Sequence, residues 1–311
     1  MITRNIKINS KKIYKPVCLT IGNFDGLHRG HKYVLKKLIS TSKKNKLKSA
    51  VLSFSPHPRK FFTNSLENFN IITETHKVKL LKLSDVQTFY KLTFDKNVAS
   101  MQPLNFVRNF LVNKLNIKSL IIGENFRFGK NRKGDINLLK KYSLKNKFDL
   151  IIIKYVKQLK TNEIFSSSLI RENIINGKVN KAKKLLGRPW SIKGRVKSGD
   201  KRARKMGFPT ANILSPDTIL PKKGVYAVYV IENNNKYCGI ANFGRRPTFK
   251  GRKSLLEVNI FNFKKEIYGK ELTVEFLAFI REEIKFKDFN TLKKQVKRDV
   301  ISVKSYFKKK S

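Results

Sequence analysis

The sequence predicts two domains of different classes: an α/β domain with a parallel sheet, followed by a small antiparallel β-barrel that ends in a helix. In the first half, short continuous apolar runs alternate with helical patterns, which is typical of parallel strands covered by helices on both faces. In the second half, apolar and polar residues alternate with a period of two, which is typical of strands with one buried face. A length of 311 residues is enough for both domains.

The α/β prediction depends on four apolar runs, each ended by Gly, Pro or polar residues. These runs are 17–21, 50–54, 120–122 and 150–153. Between them, apolar residues recur at helical spacing around 34–39, 106–111 and 138–142. Ligands of open parallel sheets bind beyond the carboxyl ends of the strands, so the loops that follow these runs form the candidate site.

The barrel prediction depends on two stretches, 256–260 and 272–280, in which every second residue is apolar. Turn signals separate the strands, at 221–224, 233–235 and 244–247. A last helical pattern runs from about Thr291 to Phe307 and predicts a helix that covers the barrel.

The domain boundary is predicted where Gly187 and Pro189 end a helical pattern. We therefore expect domains at 1–187 and 188–311. The second is large enough to have its own apolar interior, and we expect it to fold alone.

Composition places the chain among folded proteins, because 40% of the residues are hydrophobic and 11% are aromatic. Disordered chains lack the apolar side chains needed to offset the entropy of ordering. The 69 Lys and Arg against 21 Asp and Glu give a net charge of +48, which attracts nucleic-acid phosphates. Since the Lys residues are spread over every segment beside abundant Asn, Ile and Phe, we interpret the charge as compositional bias and expect no specific nucleic-acid partner.

Features of membrane or secreted proteins are not found in the sequence. No run of about 18 apolar residues occurs, and the first 15 residues have no apolar stretch of the kind found in secretion signals. We expect a cytoplasmic protein without a membrane partner. Cys18 and Cys238 lie inside apolar runs without metal-ligand spacing, which predicts buried free thiols.

The strongest functional signal is the segment Gly-Asn-Phe-Asp-Gly-Leu-His-Arg-Gly-His at 22–31, between the first strand and a helix. Glycines allow a tight turn, a helix N-terminus offers N–H donors, and two His three residues apart can both face a phosphate. The pattern predicts a nucleoside-triphosphate site, formed by Gly22, Asn23, Phe24, Asp25, Gly26, His28, Gly30 and His31. A simple glycine-rich turn is the alternative, and a zinc site is disfavoured because the chain has only four His and two Cys.

Six further segments complete a resemblance that covers nearly the whole chain. They are 54–59, 123–129, 166–171, 207–212, 242–248 and 256–258. With the segment 22–31, which resembles the first signature of the HxGH nucleotidyltransferases, they resemble the prokaryotic bifunctional riboflavin kinase/FAD synthetase family. The resemblance implies a Rossmann-like first domain that converts FMN to FAD and a barrel that converts riboflavin to FMN, both with ATP.

In the first domain, Ser167 or Ser168 can cap a helix that opens at Leu169, and Arg171 adds a cation near a leaving pyrophosphate. The resemblance implies that both serines bind phosphate and that Arg171 is catalytic with His28 and His31. Leu169 stands where the family usually has Arg. The resemblance also implies flavin contacts from His57, Pro58, Asn125, Phe126, Arg127 and Phe128.

In the second domain, the Thr210 hydroxyl and the Asn212 amide are hard oxygen donors that suit magnesium. The resemblance implies that Glu257 is the catalytic base. It further implies that Gly199 and Gly207 belong to a phosphate-covering loop and that Arg281 contacts flavin. Ala203 and Asn259 depart from the residues usual in the family, which are Gly and His.

The implied substrates are riboflavin, FMN and ATP, with Mg²⁺ as the metal. A nucleotidyltransferase with an inactive barrel and a cationic RNA-binding protein are the alternatives, and the sequence leaves weak self-association open.

Overall fold

The computed structural model describes residues 1–12, 15–63, 68–154, 156, 162–197, 207–214, 218–248 and 251–309, without the side chains of 245–248 and 251–254. The chain divides into two compact units. The first unit comprises Met1–Glu67 and Glu74–Ser166, and the second comprises Asn68–Thr73 and Ser167–Ser311. Within the described residues, no helix combines the length and apolar character that a bilayer-crossing segment needs.

The first unit contains a six-stranded parallel sheet in the order β1-β4-β3-β2-β5-β6. Its strands are β1 Ile2–Ile6, β2 Val17–Ile21, β3 Lys48–Ser55, β4 Thr88–Thr93, β5 Ile117–Gly123 and β6 Asp149–Ile153. The predicted parallel sheet is confirmed, and all four apolar runs are strands. The strands β1 and β4 escaped prediction because polar residues interrupt them, as in Thr3-Arg4-Asn5 of the exposed edge strand.

Helices cover this sheet. They are α1 Arg29–Lys44, α2 Pro58–Thr63, α3 Glu74–Lys82, α4 Lys96–Ala99, α5 Pro103–Asn105 and α6 Ile136–Asn146, with a π-helical segment Phe106–Lys114 and a 3₁₀ turn Lys130–Arg132. Leu19, Leu52 and Leu120 are completely buried in the core that the helices close.

The connections of the sheet determine where a ligand can bind. From β2 the chain moves to β3 and β4 on one side, then returns to β5 and β6 on the other. The loops after β2 and β5 therefore flank a point where the strand order reverses, and such points are the usual ligand crevices of open α/β sheets.

The second unit contains a closed antiparallel barrel in the order β10-β11-β8-β7-β12-β9, as predicted. Its strands are β7 Trp190–Lys197, β8 Ala211–Leu214, β9 Gly224–Glu232, β10 Asn235–Thr248, β11 Gly251–Ile260 and β12 Glu271–Glu282. Closure pairs every strand on both sides. The predicted final helix is α9, Phe289–Lys308.

The turn predicted at Gly244–Pro247 is wrong, because β10 continues through it and pairs with β11 as far as Thr248 opposite Gly251. A Cβ at position 244 would meet only the carboxylate end of the exposed Glu283 side chain, which can move aside.

Two helices precede the barrel in the second unit, α7 Ser167–Ile175 and α8 Val179–Leu186. Gly187 ends α8 in the left-handed conformation, with φ 72°, as its position predicted. The indole N–H of Trp190 donates to the carbonyl of Ile71 (2.9 Å), and the Ile219 N–H donates to the carbonyl of Asn70 (2.8 Å). The segment Asn68–Thr73 is therefore part of the second unit, although it lies within the first half of the sequence.

Candidate functional site

The loop after β2 is a tight, packed turn. Gly26, Phe24 and Leu27 have φ values of 82°, 49° and 39°, so the backbone adopts the left-handed region three times in four residues. The Gly22 N–H donates to the carbonyl of Leu52 (3.0 Å), and Phe24, Asp25 and Leu27 are buried. This turn delivers the chain directly to the N-terminus of α1.

His28 and His31 lie together at that N-terminus. The Nδ1 atom of His28 accepts the backbone N–H of His31 (3.3 Å) and so caps the helix, and the two rings stack with centroids 3.6 Å apart. A Cβ on Gly30 would lie 3.1 Å from the His28 ring, so glycine allows the ring to pack there. The first turn of α1 contains no acidic residue, and a helix N-terminus attracts anions.

Asn23 supplies a second indication of a ligand. Its side-chain Oδ1 is buried and has no hydrogen-bond partner in the described part of the chain. Buried polar atoms are nearly always hydrogen-bonded, so an orphaned acceptor in this loop requires an explanation.

The loop after β3 contains His57 and Pro58. The Nδ1 atom of His57 accepts the N–H of Arg59 (3.1 Å), and Pro58 is the first residue of α2. A cluster of four aromatic side chains, which no sequence pattern brings together, lies beside it. Phe54, Phe61, Phe62 and Phe94 meet edge-to-face at centroid distances of 5.3–5.8 Å, and Phe62 is 66% exposed.

The loop after β5 borders a cavity of about 570 Å³. Three predicted flavin residues line it, Asn125, Phe126 and Arg127, together with Glu124, Arg132, Asp135, Ile136 and Asn137. Asp135 caps α6 through the Leu138 N–H (2.9 Å) and pairs with the Arg127 guanidinium (3.3 Å).

Phe128 lies elsewhere. Its ring is 6% exposed and stacks between Phe106 and Phe126 in the core, so it does not line the cavity. Its backbone forms an isolated antiparallel bridge with Gly134, and Gly129, which follows it, has a φ of 71°. Phe126 is therefore the aromatic residue of this loop that lines the cavity, and the flavin contact of Phe128 stays a prediction.

Ser167, Ser168 and Arg171 lie on α7 in the second unit, whereas His28 and His31 lie in the first. The helix begins at Ser167, two residues before the predicted opening at Leu169, so both serines lie in its first turn and not before it. The Nε atom of Arg171 donates to the Phe69 carbonyl (3.0 Å), and the guanidinium lies 3.7 Å above the Phe69 ring. Phe69 thus orients Arg171, and no sequence pattern pointed to it.

In the barrel, β8, β11 and β10 align three polar residues. Asn212 is opposite Glu257, and Glu257 is opposite Asn242. Their strand neighbours Ile213 and Leu256 are completely buried, so the three polar side chains lie on the outer face of the barrel. Asn242 was not assigned a role from the sequence, although register places it in this row.

The Asn212 side chain supports a metal-ligand role. It is only 8% exposed, and its Oδ1 atom has no hydrogen-bond partner among the described residues. Thr210 immediately precedes β8 on the same segment. A buried, unsatisfied amide oxygen beside a hydroxyl and a carboxylate is a donor set that fits Mg²⁺.

The remaining predictions for the barrel have different outcomes. Gly207 is left-handed, with φ 84°, whereas Gly199 and Ala203 lie outside the described residues. Arg281 makes a two-point ion pair with Asp299 of α9, with N–O distances of 2.9 and 2.6 Å. Asp299 is 4% exposed, so Arg281 links β12 to the terminal helix whatever else it contacts.

Comparison with known proteins identifies two families along the chain. A family model described as FAD synthetase matches residues 10–168, and one described as riboflavin kinase matches residues 186–307. A bifunctional riboflavin kinase/FMN adenylyltransferase of Buchnera aphidicola subsp. Schizaphis graminum is 39% identical, over 96% of both chains. One from Haemophilus influenzae is 38% identical, over 96% of this chain and 97% of the relative.

The chain belongs to the bifunctional riboflavin kinase/FMN adenylyltransferase family. The family that the sequence motifs predict is confirmed, and with it the assignment as a transferase. A crystal structure described as a macrolide-efflux protein from Streptococcus pneumoniae has a TM-score of 0.86 and 31% identity. The match extends over 98% of this chain and 99% of the Streptococcus pneumoniae chain.

Proposed function

We propose that the chain makes FAD from riboflavin in two ATP-dependent steps, and that the residues described above carry them. The barrel phosphorylates riboflavin to FMN. The α/β unit then joins FMN to the adenylyl group of a second ATP. The observation that carries the proposal is the register of β8 and β11, which places the Asn212 amide beside the Glu257 carboxylate.

In the first step, Glu257 accepts the proton of the ribityl hydroxyl as its oxygen attacks the γ-phosphorus of ATP. The bond between that phosphorus and the bridging oxygen of ADP breaks, and ADP leaves. Phosphoryl transfer depends mainly on positioning and charge neutralisation, so a single base with hard oxygen donors is sufficient.

Thr210 and Asn212 would hold Mg²⁺ at this site. When bound, the metal neutralises charge on the transferred phosphates. Gly207, which has φ 84°, lets the chain turn before Thr210, and β8 then fixes Asn212 by its pairing with β11.

In the second step, an FMN phosphate oxygen attacks the α-phosphorus of ATP, and the bond to the β-phosphate breaks to release pyrophosphate. His28, His31 and the N-terminus of α1 bind the triphosphate, with Gly22–Gly26 as its backbone cradle. Asn125, Phe126 and Arg127 hold FMN in the cavity after β5, with His57 and Pro58 beyond the end of β3 on the other side of β2. From the resemblance alone, we also assign to Arg171 of the second unit the stabilisation of the charge that develops on pyrophosphate.

We assign the second step to residues 1–187 and the first to 188–311, since the FAD synthetase and riboflavin kinase models match 10–168 and 186–307. Because both steps consume ATP, we propose a cytoplasmic location. No specific nucleic-acid partner is part of the proposal.

The test is to incubate the full chain with riboflavin, ATP and Mg²⁺ and to separate the flavins by chromatography at successive times. FMN is expected first and FAD later, and supplied FMN is expected to yield FAD directly. Formation of FMN without FAD, or of FAD only from supplied FMN, contradicts the two-step proposal.

A further inference from the structure

Asn259 makes a hydrogen bond that connects two distant parts of the barrel unit. Its side-chain Nδ2 donates to the carbonyl of Pro209 at 2.7 Å, across 50 positions of sequence. The acceptor is a backbone carbonyl, which has no hydrogen to give, so the amide nitrogen must face it.

This hydrogen bond lies just beyond the end of the backbone pairing between β8 and β11. The pairing of β8 with β11 begins at Ala211 opposite Val258, so Pro209 and Thr210 lie before the first pair. Proline has no N–H with which to join a sheet. The Asn259 amide therefore holds the chain at a point that the sheet itself does not hold.

Asn259 also lies on the same face of β11 as Glu257, the proposed base of the kinase step. It is two residues beyond Glu257 on β11, and residues at that spacing share one face of a strand. Its anchor at Pro209 is directly before Thr210, and Thr210 is two residues before Asn212. One side chain thus connects the strand of the proposed base with the segment of the proposed metal ligands.

We propose that Asn259 is a positioning residue of the kinase site, which holds Pro209 so that the Thr210 hydroxyl is presented to Mg²⁺. The inference depends on the proposed function of Thr210 and Asn212. It gives a role to a position at which this chain departs from the histidine usual in the family.

The test compares Asn259→Ala, which has no donor, with Asn259→His, which retains an N–H. Asn180→Ala, on an exposed position of α8, is the matched control. Two quantities are measured: the Mg²⁺ concentration that half-saturates riboflavin phosphorylation, and Mn²⁺ binding in the presence of ADP by electron paramagnetic resonance, without turnover.

Loss of the bond is expected to raise both metal constants about threefold to tenfold, the effect of losing one hydrogen bond of ordinary strength. The rate at saturating metal is expected to stay within about threefold, because Glu257 is untouched. Asn259→His is expected to recover most of the metal affinity, and FMN adenylylation in the same preparation is expected to be unchanged.

Unchanged metal constants in Asn259→Ala overturn the inference. Equal loss of both activities with a lowered melting temperature, and no recovery in Asn259→His, also overturns it, because that result indicates a structural role only. Thr210→Ala and Asn212→Ala are measured in parallel. If Thr210→Ala and Asn212→Ala also leave Mn²⁺ binding unchanged, the proposed metal site itself is wrong. If Mn²⁺ binding is weakened in these two variants but not in Asn259→Ala, only the role proposed for Asn259 is wrong.

Discussion

Asn212 and Glu257 are direct partners across the antiparallel strands β8 and β11. Residues in such pairs have Cβ atoms about 5 Å apart and project from the same face of the sheet. A buried amide oxygen that has no hydrogen-bond partner among the residues the structure describes and a half-buried carboxylate are therefore neighbours, although 45 positions separate them in the sequence. This pairing turns two ordinary strand residues into a candidate catalytic site.

Glu257→Gln is expected to lower riboflavin phosphorylation by about a hundredfold to ten-thousandfold, the usual contribution of a positioned general base. Glutamine keeps the shape of the side chain but cannot accept the proton. The measurement is the rate of FMN formation at saturating riboflavin and ATP, with FAD formation from supplied FMN as the internal reference.

Glu271→Gln is the matched control, since Glu271 is an exposed residue at the start of β12. It is expected to leave both rates within about twofold of wild type. A kinase rate in Glu257→Gln equal to that of this control returns Glu257 to the role of a surface strand residue.

A candidate site can be predicted from the sequence when its residues are contiguous in the chain, and not when strand pairing brings them together. The segment Gly22–His31 is contiguous and lies between a clear apolar strand and a helix, so the sequence pattern alone predicts it as a candidate site. The row formed by Asn212, Glu257 and Asn242 depends on which strands pair and in what register. Periodicity does not determine either, so Asn242 remained without a role.

Packing explains the other differences. Phe128 and Phe126 are identical in type and two residues apart, but Phe128 is buried in the core, whereas Phe126 is partly buried against it and lines the cavity. Phe69 contacts Arg171 only because the segment Asn68–Thr73 packs in the second unit. Residue propensities and sequence spacing do not predict such contacts between distant segments of the chain.

His31→Ala is expected to remove most FAD formation from supplied FMN and to leave riboflavin phosphorylation nearly unchanged. The His31 ring stacks on His28 and lies 5.0 Å from Phe24, within the turn proposed to bind triphosphate. His76→Ala, on α3, is the control for loss of an imidazole. If both activities of His31→Ala fall equally and its thermal melt shifts, the residue stabilises the fold and is not specific to adenylylation.

The Cys18 thiol predicts a pH dependence of stability. Its side chain is completely buried, and this burial raises the pKa from 9.0 to about 12, with a smaller contribution from Asp149. The folded chain therefore keeps the proton to higher pH than the unfolded chain does. The stabilising effect is complete below pH 9 and is lost as the pH rises from 9 towards 12.

Melting temperatures measured from pH 7 to pH 11 are expected to fall more steeply above pH 9 in the wild type than in Cys18→Ala. The difference between the two proteins at pH 7 measures the cavity left by the sulfur and is the baseline. Parallel curves over the whole range contradict a raised pKa for this thiol.

The fragment 188–311 is expected to fold alone and to phosphorylate riboflavin, but to be less stable than the fragment 167–311. Thr210, Asn212 and Glu257 all lie inside the shorter fragment. However, α8 contacts β7 and β12 through buried Ala182, Leu185 and Leu186, so removing it exposes apolar surface on both sides of the contact. Each fully buried leucine contributes about 1.5–3 kcal/mol, so the free energy of unfolding should differ by about 3 kcal/mol or more.

Urea unfolding of the two fragments at moderate salt, with FMN formation assayed on each, measures both parts of this prediction. Salt is needed because the high positive charge opposes compaction at low ionic strength. Trp190→Phe in the full chain is the companion variant. It removes the indole N–H that donates to Ile71 together with part of a buried ring that packs on Phe276, so its destabilisation is an upper limit on the contribution of the anchor that both fragments lack. Equal stabilities would show that α7 and α8 add nothing to the barrel. A folded 167–311 fragment that binds riboflavin without making FMN would show that the kinase needs residues from the first unit or from Asn68–Thr73, because the three proposed kinase residues are all present in it.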